Sequence, residues 1–518
     1  MADEPVLVVG AGPVGLMIAG ELALGGAEVV VWERLREPTG QSRASHLHAR
    51  TMEIFDQRGL LAHLGEPPRD DLGHFGGVPL ELDRLASHRP GLWRVSQART
   101  EAVLGSWAAA LGADIRRGYE LSELTVAADH VEARGHGPAG PVRLRTRYLV
   151  GCDGQDSTVR RLAGFDVAGR EPTRKLLRAD VTGIDIPQRR LRRYPAGLVT
   201  AAGRGDGVTR LMVHESGRPA AGQGAPPGYA EVVAAWARVT GEEIGAGTPL
   251  WVDTFDDASR QATRYRLGRV LLAGDAAHVQ PPVGAQAVNL GLQDAANLGW
   301  KLAAEACGWA PAGLLDSYHD ERHPVGRRVL GAIEAQALLL FGGADLDPLR
   351  AVLGELLGYA DVRAHLAAMV SGLDVAYGPG PLVGRRVPHW PLSTPAGPTS
   401  TTALLRTGRG VLLDLTGDAA HQAGLSASVN GWRDRLDLVT ARHTGGPPDA
   451  GALLLRPDGH VAWSGAGGPG VVSTSAGGPG VVSTSAGGSE AVSIDATGPA
   501  GPDGLDVALR RWFGAPSK

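Results

Sequence analysis

Three short stretches carry residue types whose spacing suits an anionic ligand that bears sugar hydroxyls. The first is Gly10-Ala11-Gly12-Pro13-Val14-Gly15. It follows an apolar strand at 5–9 and opens a helix at 16–24, and the next strand, 28–32, closes on the acid Glu33. A GxGxxG turn in that setting predicts a dinucleotide pyrophosphate site. Gly10 allows the tight turn, Gly12 lets the backbone approach the pyrophosphate, and Gly15 lets helix and strand pack closely. A carboxylate at Glu33 suits a ribose 2′-hydroxyl and repels a 2′-phosphate. The second stretch, YLVGCDGQDSTVR at 148–160, ends a buried strand at Cys152 and turns at Asp153-Gly154. Asp153 and Arg160 can face one groove, and a plain turn capped by Ser157 reads the same residues equally well. The third, 271–302, runs from an apolar strand into Gly274-Asp275, a Pro/Gly loop at 280–284 and a long Ala-rich helix with Asn289, Gln293, Asp294 and Asn297 along it. Asp275 can accept hydrogen bonds from ribityl or sugar hydroxyls, and the free N–H groups at the helix start carry partial positive charge.

The chain that must position these residues has 518 of them, enough for two or three domains and a large core. Charged residues make up 20% and the net charge is −4, so no nucleic acid or other polyanion is expected as a partner. Lysine occurs only at Lys175, Lys301 and Lys518, and glycine 75 times, which fits GC-rich codon usage rather than function. The cysteines are Cys152 and Cys307, expected as unpaired thiols in a reducing cytoplasm. The acidic start leads directly into a strand and no apolar run reaches a membrane span, so neither a signal peptide nor a membrane is expected.

Periodicity predicts strands at 177–184, 197–202 and 208–214 and a helix at 229–240, a mostly antiparallel sheet with one face closing over the cofactor. The alternating run 74–85 reads as a strand pair of that second sheet, and Arg190, Arg192 and Arg193 beside Tyr194 as a solvated face. His46 and His48, before a helix at 51–58, read as surface or capping residues with substrate contact as the sharper option. Helical regions follow at 311–342 and 346–368, with a Pro/Ser/Thr-rich linker at 380–400. The last domain has strands at 411–415, 436–441 and 452–456, a Pro457-Asp458-Gly459 hairpin turn and a closing helix at 505–513. It holds no CxxC, which excludes dithiol redox work. A ten-residue repeat, at 468–477 and again at 478–487, reads as a loop expanded by duplication over 465–490.

In the order GAGPVG, CDGQDSTVR and GDAAHVQPPVGAQAVN, these stretches resemble the flavin-dependent aromatic hydroxylases typified by para-hydroxybenzoate hydroxylase, over residues 1 to about 390. The runs at 33–61, 95–101 and 317–326 resemble one branch, the hydroxylases of angucycline- and anthracycline-type aromatic polyketides. The resemblance implies an α/β fold. A Rossmann-like FAD-binding domain would span 1–175 and 266–390, a β-sheet substrate domain 74–95 and 176–265, and a thioredoxin-like domain 400–518. It implies FAD, a hydride from NADPH, and transfer of one oxygen atom of O2 through a flavin C4a-hydroperoxide to a phenolic or quinone ring. A Baeyer–Villiger or non-oxygenating outcome uses the same pocket. The helical region 311–368 is a candidate homodimer contact.

Carried over by position, Gly10, Gly12, Pro13, Val14 and Gly15 hold the FAD pyrophosphate, Glu33 and Arg34 the adenosine end, and Arg43 lies over the pyrophosphate near the NADPH approach. Gln97, Leu121, Asp153 and Gly154 also contact cofactor, and Asp275 the ribityl chain. Pro282 and Gly284-Ala285-Gln286-Ala287-Val288-Asn289 lie against the isoalloxazine ring, with Pro282, Gly284 and Ala287 nearest the chemistry and no evident acid or base. The branch pattern resembles PPxGGQGMN. Alanine at 285 occurs in relatives, whereas Ala287 adds a methyl group where a glycine N–H approaches the flavin. If position 287 required a positive φ, strain of about 1 kcal/mol would follow.

Overall fold

The computed structural model describes residues 4–39, 44–204, 207–219, 227–378, 380–445, 450–465 and 502–517. Arg43 and the tandem repeat lie outside the described residues. The runs Val6–Val9, Tyr148–Gly151 and Val270–Leu272 are apolar and buried on both faces. That is what a parallel strand covered from both sides requires. They form a sheet in the order Val270–Leu272, Tyr148–Gly151, Val6–Val9, Val29–Glu33, Asp114–Arg117, all parallel, with Arg266–Leu267 antiparallel at one edge. The chain leaves Val6–Val9 for its neighbour on one side and later returns on the other. In such sheets ligands bind beyond the carboxyl ends of the strands at that reversal. The helices Pro13–Leu24 and Gln286–Ala306 pack together over the sheet, and a three-stranded antiparallel sheet of Glu120–Val126, Val131–Gly137 and Gly140–Thr146 joins the same core.

The second sheet has five antiparallel strands, ordered Arg189–Tyr194, Gly197–Gly203, Val208–Pro219, Arg174–Thr182, Thr248–Asp256. The basic cluster therefore forms an edge strand. Leu177, Ala179, Val199 and Leu211 pack under Val232 and Trp236 of the helix Tyr229–Thr240. Leu198, on the opposite face, packs with Val283 of the loop at 280–284 and with Ile333 and Leu340 of the helix Ser317–Phe341. One face of this sheet thus closes on that loop.

Two expectations are corrected. The strand pair forms as Leu72–Phe75 and Val78–Glu81, but as a separate two-stranded sheet. Its Phe75, Leu80 and Leu82 are buried against Leu339, Leu357 and Val370 of the helical region, so its apolar face is already used. The segment 380–400 is no bare linker, because Pro391–Thr394 and Gly397–Ser400 pair as a hairpin and add Arg442–His443 as a third strand. Pro398 is accommodated because its strand is an edge, where a missing N–H costs little.

The C-terminal unit is a sheet in the order Leu436–Thr440, Gly410–Asp414, Ala452–Leu455, Val461–Gly465, its first pair parallel and the others antiparallel. The helix Pro502–Phe513 covers it through Leu505, Leu509 and Phe513, in one cluster with Trp300, Ala304 and Leu314. The two units therefore share a core. Among the described residues no single helix is long and apolar enough to cross a membrane.

Candidate active site

The glycine turn follows Val6–Val9. Gly10 has φ +105°, and a Cβ there would lie 2.4 Å from the Cys152 carbonyl oxygen. At Gly15 it would lie 2.0 Å from the Gly10 carbonyl oxygen. A Cβ on Gly12 would meet nothing within 4 Å, at the start of a helix without a side-chain cap. Two glycines are thus demanded by the protein and the third by open space at a helix N-terminus, the arrangement a pyrophosphate requires. Pro13 occupies the first helical position. Glu33 receives the Ala11 N–H at 2.7 Å on one oxygen and the Leu35 N–H at 2.9 Å on the other, which fixes the turn and leaves lone pairs for hydroxyls. Arg34 beside it is exposed. Tyr119 bonds the Glu33 carbonyl at 2.9 Å, which brings buried Leu121 to the same end of the sheet. Gln97 starts the helix Gln97–Ala110 at the Ser96 cap, accepts from the Ala44 N–H at 3.2 Å and donates to Glu101 at 2.8 Å.

The turns after the neighbouring strands meet this one. The Asp153 carboxylate accepts from the Ser157 hydroxyl and from the Val159 N–H at 3.0 Å, so it holds the start of the helix Thr158–Leu162, with Gly154 at φ +82°. Arg160 donates to the Ala276 carbonyl at 2.9 Å, tying this turn to that of Asp275. Asp275 is exposed in the single turn Gly274–Ala276. A Cβ at Gly274 would lie 2.9 Å from Val14, so the first and third motifs pack directly on each other. Beside them an open cleft of about 180 Å³ is lined by Arg160, Glu171, Arg260, Ala277 and His278.

The loop at 280–284 is held from below and leaves its upper side open. Val283 is 4% exposed while Pro282 is exposed. Gly284 has φ +66°, and Gln286–Ala306 then begins with no side-chain cap. Ala287 lies inside that helix, so the expected strain falls elsewhere: Ala285, at φ +57°, is the non-glycine residue in the left-handed region among those described. The alanine that departs from the branch pattern at 287 is conformationally ordinary, and the one at 285 carries the cost. Ala285→Gly should raise stability to urea by about 0.5–1 kcal/mol, measured on the FAD-bound protein.

His48, read from the sequence as a surface or capping residue, is instead a buried anchor whose side chain makes no cap bond. It is 1% exposed, and its Nε2 lies 2.8 Å from the Gly284 carbonyl oxygen. Asn289 completes the clamp. Its carbonyl accepts from the His48 N–H at 2.8 Å and the Thr51 hydroxyl at 2.7 Å, and its amide donates to the Ala285 carbonyl at 2.7 Å. Burial pushes the His48 pKa down to about 4 from 6.5, so the ring is neutral and donates to the loop. The unfolded chain therefore takes up a proton near pH 6.5 that the folded chain refuses until about 4. Stability falls across that window as pH drops, by about 3 kcal/mol for this group. FAD retention should weaken between pH 6.5 and 4, and His48→Gln should flatten the profile.

Further along the helix, Asp294 is fully buried. It is ion-paired to Arg322 at 2.7 Å, bonded to His278 at 2.7 Å, and accepts from the Gly274 N–H at 3.3 Å, so it braces the third turn from behind. Buried amide atoms of Gln280, Gln286 and Gln336 have no hydrogen-bond partner among the described residues. Those of Gln286 and Gln336 border Gly284, at 3.2 and 3.5 Å from the position of its absent Cβ. Native interiors leave few such atoms, so a polar ligand at the loop is the simplest account. The open side of Gly12, the uncapped helix starts and these amides fit FAD.

Residues 3–332 match the FAD binding domain family, and residues 380–477 match the aromatic-ring hydroxylase C-terminal family. A 12-dehydrotetracycline 5-monooxygenase/anhydrotetracycline 6-monooxygenase of Streptomyces rimosus is 39% identical, covering 99% of each chain. A dialkyldecalin synthase of Streptomyces rugosporus is 38% identical, again over 99% of each. The crystal structure of CabE, an aromatic hydroxylase from angucycline biosynthesis, superposes over 100% of both chains with a TM-score of 0.89 at 47% identity.

Proposed function

Because the chain belongs to the family of FAD-binding aromatic-ring hydroxylases, we propose that it is an FAD-dependent monooxygenase acting on an aromatic polyketide. The reaction joins a phenolic or quinone ring C–H with O2, NADPH and a proton to give the ring C–OH, water and NADP+. The observation that carries the reading is the convergence of three turns, from positions far apart in the chain, at the carboxyl ends of three adjacent parallel strands. Bound there, FAD would supply the redox and oxygen-transfer chemistry.

The chain's own residues bind and position. Gly12 and the helix start would receive the pyrophosphate on the turn that Gly10 and Gly15 shape, Glu33 would hold the ribose and Asp275 the ribityl hydroxyls. The uncapped start of Gln286–Ala306 would offer its positive end to an anionic edge of the flavin. Val283 and His48 hold the loop still, and the five-stranded sheet keeps water from the ring. The guanidinium groups of Arg160 and Arg260, lining the cleft beside Asp275, suit the phosphates of NADPH. We read the C-terminal sheet as thioredoxin-like but without dithiol chemistry, a fold reading supported by its order of one parallel and two antiparallel pairings. The FAD-domain limits expected from sequence and the sheet domain at 176–265 stand with it as part of the proposal, whereas the pair at 72–81 packs on the helical region and the C-terminal unit starts at the hairpin of Pro391–Thr394, ahead of the expected 400.

A non-oxygenating reading is favoured by one finding, the similarity to a dialkyldecalin synthase over the whole chain. The experiment that decides is NADPH oxidation and O2 uptake by the yellow protein, with and without polyketide naphthols and anthraquinones, with products weighed by mass spectrometry. Substrate-stimulated uptake with a gain of one oxygen atom establishes the monooxygenase. Bound FAD with no stimulated uptake across the panel overturns it and leaves the non-oxygenating reading.

A further inference from the structure

We propose that Asp56, His88 and His389 bind a divalent transition-metal ion of the zinc type, which ties the helix behind the flavin loop to the segment leading into the C-terminal unit. One ligand atom from each of the three lies within 4.8 Å of the other two. Two imidazoles and one carboxylate are a donor set for zinc and its neighbours, whereas calcium and magnesium take oxygens. The His88 Nε2 stands 2.8 Å from an Asp56 oxygen. Ligands of a tetrahedral ion, at about 2.0–2.1 Å from it, lie about 3.3 Å apart, so this pair need open by only about 0.5 Å. Nδ1 of His389 lies 2.8 Å from the Thr402 hydroxyl, the outer hydrogen bond that orients a ligating histidine and leaves Nε2 for the metal. The two rings stack with centroids 4.0 Å apart. The His88 and Asp56 side chains are 16% and 14% exposed, open enough for ion entry and a water ligand. Two cations face Asp56. Arg406 lies 3.7 Å from its other oxygen and is 56% exposed, free to swing to solvent, and Arg89 adjoins His88.

The three ligands belong to three separate segments. Asp56 is near the end of Ala49–Gln57, the helix that His48 precedes. His88 lies in the loop between Val78–Glu81 and Leu92–Arg94, and His389 just before Pro391–Thr394. An ion would fasten them together.

The test uses tag-free full-length holoprotein, stripped with chelator, incubated with zinc chloride, desalted and assayed by mass spectrometry for metal. About one zinc per chain is expected, with a thermal midpoint raised by roughly 2–4 °C. Cobalt(II) in its place should give the intense visible bands of a tetrahedral site. His389→Ala and Asp56→Asn should each weaken zinc binding by about tenfold or more while retaining FAD. The proposal is overturned if the parent keeps no zinc above buffer, or if both variants keep as much as the parent. The trio is then a hydrogen-bonded cluster only. The parent's zinc content and cobalt spectrum decide the matter even if a variant fails to fold.

Discussion

A Gly12→Val protein should fold normally and purify without flavin, whereas Gly15→Ala should lose about 3 kcal/mol of folding stability. The two glycines stand three residues apart in one turn, and the structure gives them opposite reasons to exist. Gly12 has φ −75° and ψ −179°, extended backbone that valine adopts freely, and its missing Cβ faces open space. Nothing in the protein objects to a side chain there, so apoprotein stability should stay within about 1 kcal/mol of the parent. The side chain would fill the space from which uncapped N–H groups reach a phosphate. Losing one or two charge-assisted hydrogen bonds costs about 2–4 kcal/mol, roughly a 30- to 1000-fold loss of affinity. Gly15 is different, because its Cβ would lie 2.0 Å from a backbone oxygen of the same turn. Relief requires moving helix or strand inside a packed core, at a cost of about 3 kcal/mol. Flavin absorbance and circular dichroism separate the two outcomes. A Gly12→Val protein that retains FAD at the parent's affinity would show that the pyrophosphate lies elsewhere, and the assignment of the site would fall with it.

That contrast also explains which parts of the site were legible in the sequence. Gly10, Gly12, Gly15 and Glu33 encode a local conformation, so their pattern is complete within a short span. The Asp153 and Asp275 turns were legible for the same reason, each following a short apolar strand. The His48 contact to Gly284 spans 236 positions, and no local pattern predicts which buried donor a distant carbonyl will find. The strain was placed at 287 instead of 285 because the helix start could not be located. Gln286 follows no Ser, Thr, Asp or Asn cap, so nothing marked where the turn ended and the helix began. The edge strand at Arg189–Tyr194 was missed because arginines that face solvent on one side still pair their backbone on the other. The hairpin at 391–400 was hidden by prolines that read as a linker and in fact sit at a strand start (Pro391), in the turn (Pro395) and on the edge strand (Pro398).

Arg456→Met should lower stability at pH 7 by about 3–5 kcal/mol and release FAD in the same transition. Arg456, from the C-terminal hairpin, is 1% exposed and 4.3 Å over the Trp512 ring. It binds both oxygens of Glu321, one at 2.9 Å, and both oxygens of Asp458. Glu321 in turn holds Lys301 at 2.7 Å and the Asn297 amide at 2.7 Å, both on the helix that starts at the flavin loop. Methionine fills the volume but removes the cation, leaving buried Asp458 with the Trp300 N–H at 3.3 Å and the His460 N–H at 3.1 Å. Adding Asp458→Asn should recover part of the loss, because it removes the uncompensated charge. The acid limb supplies a second readout. Burial disfavours the Glu321 carboxylate, but Arg456 and then Lys301 outweigh it and hold its pKa at about 2, below the 4.5 of the unfolded chain. Its contribution is therefore present above pH 4.5 and is lost as pH falls to 2. In Arg456→Met that acid-dependent loss should shrink. Urea titrations followed by flavin fluorescence, at pH 7 and along the acid limb, measure both effects. A variant within about 1 kcal/mol of the parent would mean that the shared apolar core around Trp300 alone joins the units. A loss of the expected size makes the C-terminal unit part of the flavin site's support, and a chain cut before it should then be unable to keep FAD.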